Sequence, residues 1–371
     1  MVCHDIKTLE SLKEQLFDAM VLEHATLPVY LTALYSIKPG TNPDAFNIIR
    51  VVAVEEMLHL TIAANLLNAI DGKVDLTKKG FVPNYPTFIP DSIEDFKVHI
   101  KAFTKDSLET FLKIERPVPP CSGQERTLKR RIPGDAAWCP SPGKDGDTQY
   151  ATIGEFYNAI KDGFKLLEKE AQACCSTIFV GNQDHQITSK YYYSGGGELL
   201  PVTDLDSAIK AIDLVIDQGE GYVRDDNPTC VFDQYGELAH FYRFEQLKLG
   251  QYYVRGDKPH QPSGPRIRVD WDGVYETATD PKLKDYPKGT ELYQAANNFN
   301  IAYAKFLRLL TRAYNGKPEL LTSKAVPAMF DFRNLMTTLI RNPMPGQNGL
   351  NAAPTFEIDS AWDALDSVNE A

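Results

Sequence analysis

Twice in this chain a glutamate stands three residues ahead of a histidine on what reads as the apolar face of a helix: Glu56 and His59 in Glu-Met-Leu-His, and Glu237 and His240 in Glu-Leu-Ala-His. Residues three apart on a helix share a face, so each pair can offer an oxygen and an imidazole nitrogen to one point in space. Chance supplies about half a match among seven histidines, so one pair says little and two on core-facing stripes say much. A carboxylate on an apolar face must be paired, neutralised or bound to a metal, because an isolated buried charge costs several kcal/mol. Four such groups facing one interior require a shared cation.

The helices that carry them can be traced from apolar spacing. Leu9, Leu12, Leu16, Met20, Leu27, Leu31 and Leu34 recur at three, four or seven residues and predict an amphipathic helix, kinked at Pro28 and stopped at Lys38-Pro39-Gly40. Ile49, Val52, Glu56, His59, Ala63, Leu66 and Ile70 predict a second, ended by Asp71-Gly72 and packed on the first as an antiparallel hairpin. Glu23 lies on the first stripe between Met20 and Leu27, about as far before the turn as Glu56 and His59 lie after it. That spacing places a third carboxylate at the level of the first pair.

Beyond the hairpin, residues 73–150 change character, with Pro-rich punctuation, an alternating Phe96, Val98, Ile100 piece and a short helix over Ser107 to Ile114. Pro117 to Asp147 is poor in apolar residues and reads as a long loop able to cover a site. Helices are then predicted over Thr152 to Gln172 and Asp204 to Glu220, separated by a Tyr-Tyr-Tyr-Ser-Gly-Gly-Gly loop (191–197), and over Asp233 to Val254 with Glu237, His240, Phe244 and Leu247 in one stripe. Pro262 to Pro287 is irregular with a strand-like piece over Arg266 to Trp271, and Glu291 to Tyr314 and Leu320 to Ile340 are helical. Two residues compete to be the remaining carboxylate. Glu220 extends the stripe Leu205, Ile209, Ile212, Ile216, stands between Gly219 and Gly221, and is favoured over Glu155, which lies off its helix's main apolar stripe and reads alternatively as a first-turn acid complementing a helix dipole, with room for both to face the site.

Other conspicuous residues have simpler readings. His24 points about 100° away from Glu23 around its helix and suits packing or support of a ligand better than ligation. Glu55 is expected to face a neighbouring helix or solvent, and Tyr30, Tyr157 and Tyr242 to be core aromatics, able to hydrogen-bond a bound group if they lie near it. His4, His99, His185 and His260 fall outside the stripes.

Composition closes off several function classes. A net charge of -11 argues against a nucleic-acid surface, and the basic run from Arg126 to Arg131 reads as a solvated segment of the long loop. Six cysteines without a Cys-x-x-Cys pair fit reduced thiols in a cytoplasmic protein, with a Cys121–Cys139 bridge left open. Neither a leader-like N-terminus nor a membrane-spanning apolar run is present, so membrane insertion is not expected.

With Leu-Glu-His-Ala-Thr-Leu-Pro-Val-Tyr-Leu-Thr-Ala-Leu-Tyr-Ser-Ile (22–37), Glu-Glu-Met-Leu-His-Leu (55–60), Gln-Gly-Glu-Gly (218–221), Glu-Leu-Ala-His-Phe-Tyr-Arg-Phe (237–244) and Asn-Ala-Ala-Pro-Thr-Phe-Glu (351–357) in hand, the chain resembles the ferritin-like domain of iminophenyl-pyruvate dimer synthases, relatives of the chromopyrrolate-forming enzymes of bisindole biosynthesis. The resemblance implies an all-α ferritin-like four-helix bundle with long insertions and minor β pieces: a metal-binding bundle over 1–254 with the insertion 73–150, and a C-terminal helical extension over 255–371 packed on it as one unit. It implies a metal site built from Glu23, Glu56, His59, Glu220, Glu237 and His240, with Glu155 in reserve. Carboxylate and imidazole ligands suit iron or manganese. The function expected is therefore a non-haem di-iron oxidase or oxygenase, with O2 as co-substrate, acting on a small amino-acid-derived or secondary-metabolite molecule, in a monomer or small homo-oligomer. Peroxide disproportionation at a dimanganese centre, and non-enzymatic iron handling, are the competing readings.

Overall fold

The computed structural model describes residues 6–88, 96–117, 153–193, 195–220, 231–233, 236–362 and 365, and Glu220 by its backbone alone. Of the loop expected over Pro117 to Asp147, all but Pro117 lies outside the described residues, with the Arg126–Arg131 run and both Cys121 and Cys139, as do His4 and Gly221.

Among the described residues eight α-helices follow in order: α1 (Leu9–Ser36), α2 (Pro43–Ala69), α3 (Lys105–Ile114), α4 (Ile153–Ala173), α5 (Leu205–Glu220), α6 (His240–Leu249), α7 (Glu291–Tyr314) and α8 (Val326–Ile340). Among the described residues β pairing is confined to isolated bridges, including Thr87 with Val98 and Gln251 with Arg266 where strand-like pieces were expected. Local chemistry sets the helix ends. Thr8 and Ser11 cap α1 reciprocally, Thr104 and Ser107 do the same for α3, Pro43 opens α2, and Gly250 closes α6 in the left-handed region with φ 69°. α1 runs unbroken as α-helix past Pro28, which supplies no N–H to the carbonyl of residue 24.

α1 packs along α2, α4 along α5, and cross-contacts of α1 with α4 and of α2 with α5 close a four-helix layer. α7 and α8 cover its back, touching α2 and α1, while α3 packs on α6. This sandwiching explains why residues 19–30 of α1 and 58–70 around the end of α2 are buried on every side. α6 differs from expectation: it spans 240–249 rather than 233–254, and the residues before it are held in a bridge between Phe232 and Leu238.

Where α2 ends, the chain at Gly181 lies directly on it. The Gly181 N–H donates to the carbonyl of Ala69, and a Cβ there would stand 1.7 Å from the carbonyl oxygen of Asn68. Gly181→Ala should therefore cost about 1–3 kcal/mol through overpacking. Urea unfolding followed by circular dichroism measures it.

Candidate metal centre

α1 and α2 run side by side with Glu23 of one facing Glu56 and His59 of the other. Two further residues arrive from outside the hairpin: Glu115, which follows the last residue of α3, and His240, the first residue of α6. All five are buried, at 0% exposure for His240 and 2–4% for the rest. They form two groups, Glu23–Glu56–His59 and Glu56–Glu115–His240, and within each the potential ligand atoms lie within 4.8 Å of one another. Glu56 belongs to both.

The hydrogen bonds determine which nitrogen of each imidazole faces inward. Gln218 of α5 donates through its amide nitrogen to the carbonyl of Gly196, which turns its Oε1 toward His59 Nε2 at 2.9 Å. An amide oxygen only accepts, so His59 carries its proton on Nε2 and presents the Nδ1 lone pair, 3.5 Å from Glu23 Oε2. His240 is arranged likewise. Its Nε2 donates to Glu55 Oε2 at 2.9 Å, and its Nδ1 lies 2.9 Å from Glu56 Oε1 and 3.4 Å from Glu115 Oε2. The outer oxygens of the end carboxylates are each held by a phenol: Tyr157 donates to Glu23 Oε1 at 2.5 Å and Tyr30 to Glu115 Oε1. Thr26 donates to Glu56 Oε2 at 3.3 Å.

Electrostatics follow from this crowding. Burial, then the charges of Glu115 and Glu23, push the Glu56 carboxyl well above the usual carboxylate range. Burial works against the His240 imidazolium, but Glu115 and the acceptors Glu55 and Glu56 raise it well above the ordinary range. Tyr30 and Tyr157 are raised well above theirs by burial and by Glu115 and Glu23 respectively, so both stay protonated as donors.

A divalent cation fits each group. At the ~2.1 Å bonds usual for N and O on such metals, two ligands a right angle apart sit about 3 Å from each other; His59 and Glu23, His240 and Glu56, and His240 and Glu115 approach to 3.5, 2.9 and 3.4 Å, and the other pairs of each group lie within 4.8 Å. His240 Nδ1 is fully buried and makes no hydrogen bond of good geometry, its neighbours being the Glu56 and Glu115 oxygens at 2.9 and 3.4 Å, so a cation among these three atoms would meet all of them. The set is oxygen and nitrogen throughout; the two described thiols, Cys174 and Cys175, are exposed.

The structure thus brings together Glu23, Glu56, His59 and His240, and leaves Glu237 and Glu155 apart from them. Glu237 is a correction. It precedes α6 instead of lying on it, so the three-residue spacing to His240 does not place them on one face; its side chain is 60% exposed and pairs with Arg243 at 2.8 Å. Glu155 is exposed in the first turn of α4, and that helix directs Tyr157 inward instead. The Glu220 side chain lies outside the described residues, and from α5 it is Gln218 that reaches a ligand. Glu55, expected against another helix or solvent, is buried between His240 and Arg243. His24 bonds the Tyr303 hydroxyl at 2.8 Å, and burial lowers its pKa to about 3.

Glu115 was overlooked although the same signal that picks out Glu23 was present. It continues the α3 stripe of Leu108, Phe111 and Leu112 at three, four and seven residues.

A fold of packed helices with this carboxylate and imidazole cluster at its centre is that of a ferritin-like protein. The ferritin-like family profile matches residues 16–249, and the chain belongs to that family. It is 27% identical over 332 aligned positions to a dichlorochromopyrrolate synthase of Lentzea aerocolonigenes, covering 83% of this chain but 29% of that enzyme's length. The crystal structure of a ferritin-like protein from Caulobacter vibrioides superposes with a TM-score of 0.60 over 94% of this chain and 99% of the other, at 22% identity. Among the described residues no helix is long and apolar enough to cross a membrane.

Two expectations follow. Glu115→Ala should lower the amount of metal bound, whereas Glu237→Ala should leave metal content unchanged, both read by elemental analysis. Beside Gln218, burial and then Asp213 and Asp233 raise Asp217 to about 7. A raised carboxyl favours the folded state while protonated, so this contribution is full below the unfolded pKa of about 4 and lost as pH rises to about 7. The melting temperature gained by Asp217→Asn should accordingly be larger at pH 8 than at pH 4.

Proposed function

We propose that this chain is an O2-dependent oxidase or oxygenase with a non-haem dimetal centre, two iron ions, acting on a small amino-acid-derived or secondary-metabolite molecule. The observation that supports it most is Glu56, a carboxylate shared by two Glu–His groups that are otherwise separate. A bridging carboxylate with a glutamate and a histidine on either side is the arrangement by which a helical bundle holds two ions close together. Kinship with an enzyme named for dichlorochromopyrrolate formation supports a small organic substrate in place of iron storage. Because this chain spans 29% of that enzyme, the dimer-forming step itself is not carried over.

Iron bound here would supply the electrons that O2 requires and the oxidising power that the substrate meets. The protein's part is to hold and orient. Glu23 and Glu115 would serve as end ligands, each with its outer oxygen fixed by a protonated phenol, and His59 and His240 would bind through Nδ1, their far nitrogens being anchored. Burial of all five side chains excludes water and strengthens every charge interaction among them. Three carboxylates leave two divalent ions with net positive charge, so among the described residues the centre is open to an anionic co-ligand, and an acid substrate could provide it through its carboxylate.

The test is anaerobic loading with ferrous iron, metal analysis, and O2 uptake with an aromatic α-imino acid. Two irons per chain and substrate-stimulated uptake are expected, with both lost in Glu56→Ala. Absence of any bound transition metal would sink the reading. Peroxide disproportionation by the manganese form, with no organic substrate needed, would replace it.

A further inference from the structure

The two halves of the centre match group for group with one exception. Each has an end glutamate, Glu23 or Glu115; each of these accepts a bond from a buried tyrosine, Tyr157 or Tyr30; each has a histidine facing inward through Nδ1; and both use Glu56. What differs, among the described residues, is the acceptor behind each imidazole. His240 Nε2 donates to a carboxylate, Glu55 Oε2, and His59 Nε2 to a neutral amide, Gln218 Oε1, both at 2.9 Å.

Both acceptors are locked. Arg243 donates to the other oxygen of Glu55 at 3.2 Å and to the Leu238 carbonyl at 2.6 Å, so the Glu55 carboxylate is pinned in place. Gln218 cannot flip its amide without breaking its bond to the Gly196 carbonyl. One loop secures both sides: Gly196 has φ +76°, and a Cβ on it would lie 3.0 Å from Glu55 Cγ and 3.1 Å from Glu55 Cα. The glycine lets the backbone settle against Glu55 while its carbonyl reaches Gln218.

We propose that Glu55 and Gln218 are positioning residues that make the two metal positions unequal, the Glu115–His240 position holding its ion more tightly than the Glu23–His59 position. A carboxylate drawing on the Nε2 proton raises electron density at Nδ1 and strengthens its bond to a cation, whereas an amide does so less. Partners of this kind typically change metal affinity by about 10–100-fold. The tighter position fills first, and the weaker one, beside Gln218, is the one from which an ion exchanges.

This rests on the dimetal reading above, and the experiment separates the two. Ferrous iron is titrated anaerobically into the full chain by calorimetry, for the wild type, Glu55→Gln and Gln218→Glu, with circular dichroism confirming the fold of each. Two events with dissociation constants about tenfold or more apart are expected in the wild type. Glu55→Gln should weaken the tighter event and bring the two together, and Gln218→Glu should strengthen the weaker event. Two equal events in the wild type, or a Glu55→Gln protein in which the weaker event alone suffers, would overturn the inference while leaving the dimetal reading intact. A wild type that binds one ion or none overturns both. Should Gln218→Glu fail to fold for want of its donor to Gly196, the Glu55→Gln result decides.

Discussion

Three carboxylates share one dry interior: Glu23, Glu56 and Glu115 are each at most 4% exposed, and the ion pairs they make among the described residues are with His59 and His240. Like charges at this separation repel strongly when water is excluded, and two imidazoles, even if both were protonated, would leave one of three ionised carboxylates unbalanced. Divalent cations offset them at far lower cost, with Nδ1 of each histidine free to ligate. Much of the architecture follows from that requirement. Residues 19–30 of α1 and 58–70 around the end of α2 are buried on all sides because α7 and α8 cover the backs of these helices, and short α6 lies where His240 can reach Glu56.

The layer of groups around the ligands is as ordered as the ligands. Tyr30, Tyr157 and Thr26 donate to the carboxylates of the site, Gln218 and Glu55 accept from the Nε2 atoms of its two imidazoles, and Arg243 and Gly196 fix these two acceptors in turn. Ligand geometry is therefore set before any ion arrives, which lowers the reorganisation that binding and oxidation would otherwise require. The near-mirror relation between the halves makes their difference, carboxylate against amide, the natural place for the two ions to acquire separate roles.

Much of this was legible from residue order. Helix α7 was expected over Glu291 to Tyr314 and is found there, and α1, α2, α4 and α5 depart from their expected spans by a few residues at most. Apolar periodicity with clear stop signals carries such information locally. Glu23, Glu56, His59 and His240 were legible because a charged residue on an apolar stripe is costly and needs a reason. The misses have specific causes. Glu237 shares a motif with His240, but motif spacing implies a shared face only inside a helix, and α6 starts at the histidine. Glu115 follows a ten-residue helix in a proline-punctuated region, where a stripe is too short to stand out. Gln218 falls on the buried stripe of Ala208, Ala211 and Val215, but an amide is not a ligand, and attention to ligand-type residues passed over it in favour of Glu220.

The central claim is that Glu56 joins two metal positions. Anomalous scattering at the iron edge from crystals of the fully iron-loaded protein tests it most directly. Two peaks are predicted, one bonded to Glu23 and His59 Nδ1 and the other to Glu115 and His240 Nδ1, with Glu56 reaching both. A single peak not shared by Glu56, or iron bound away from these five residues, would contradict it.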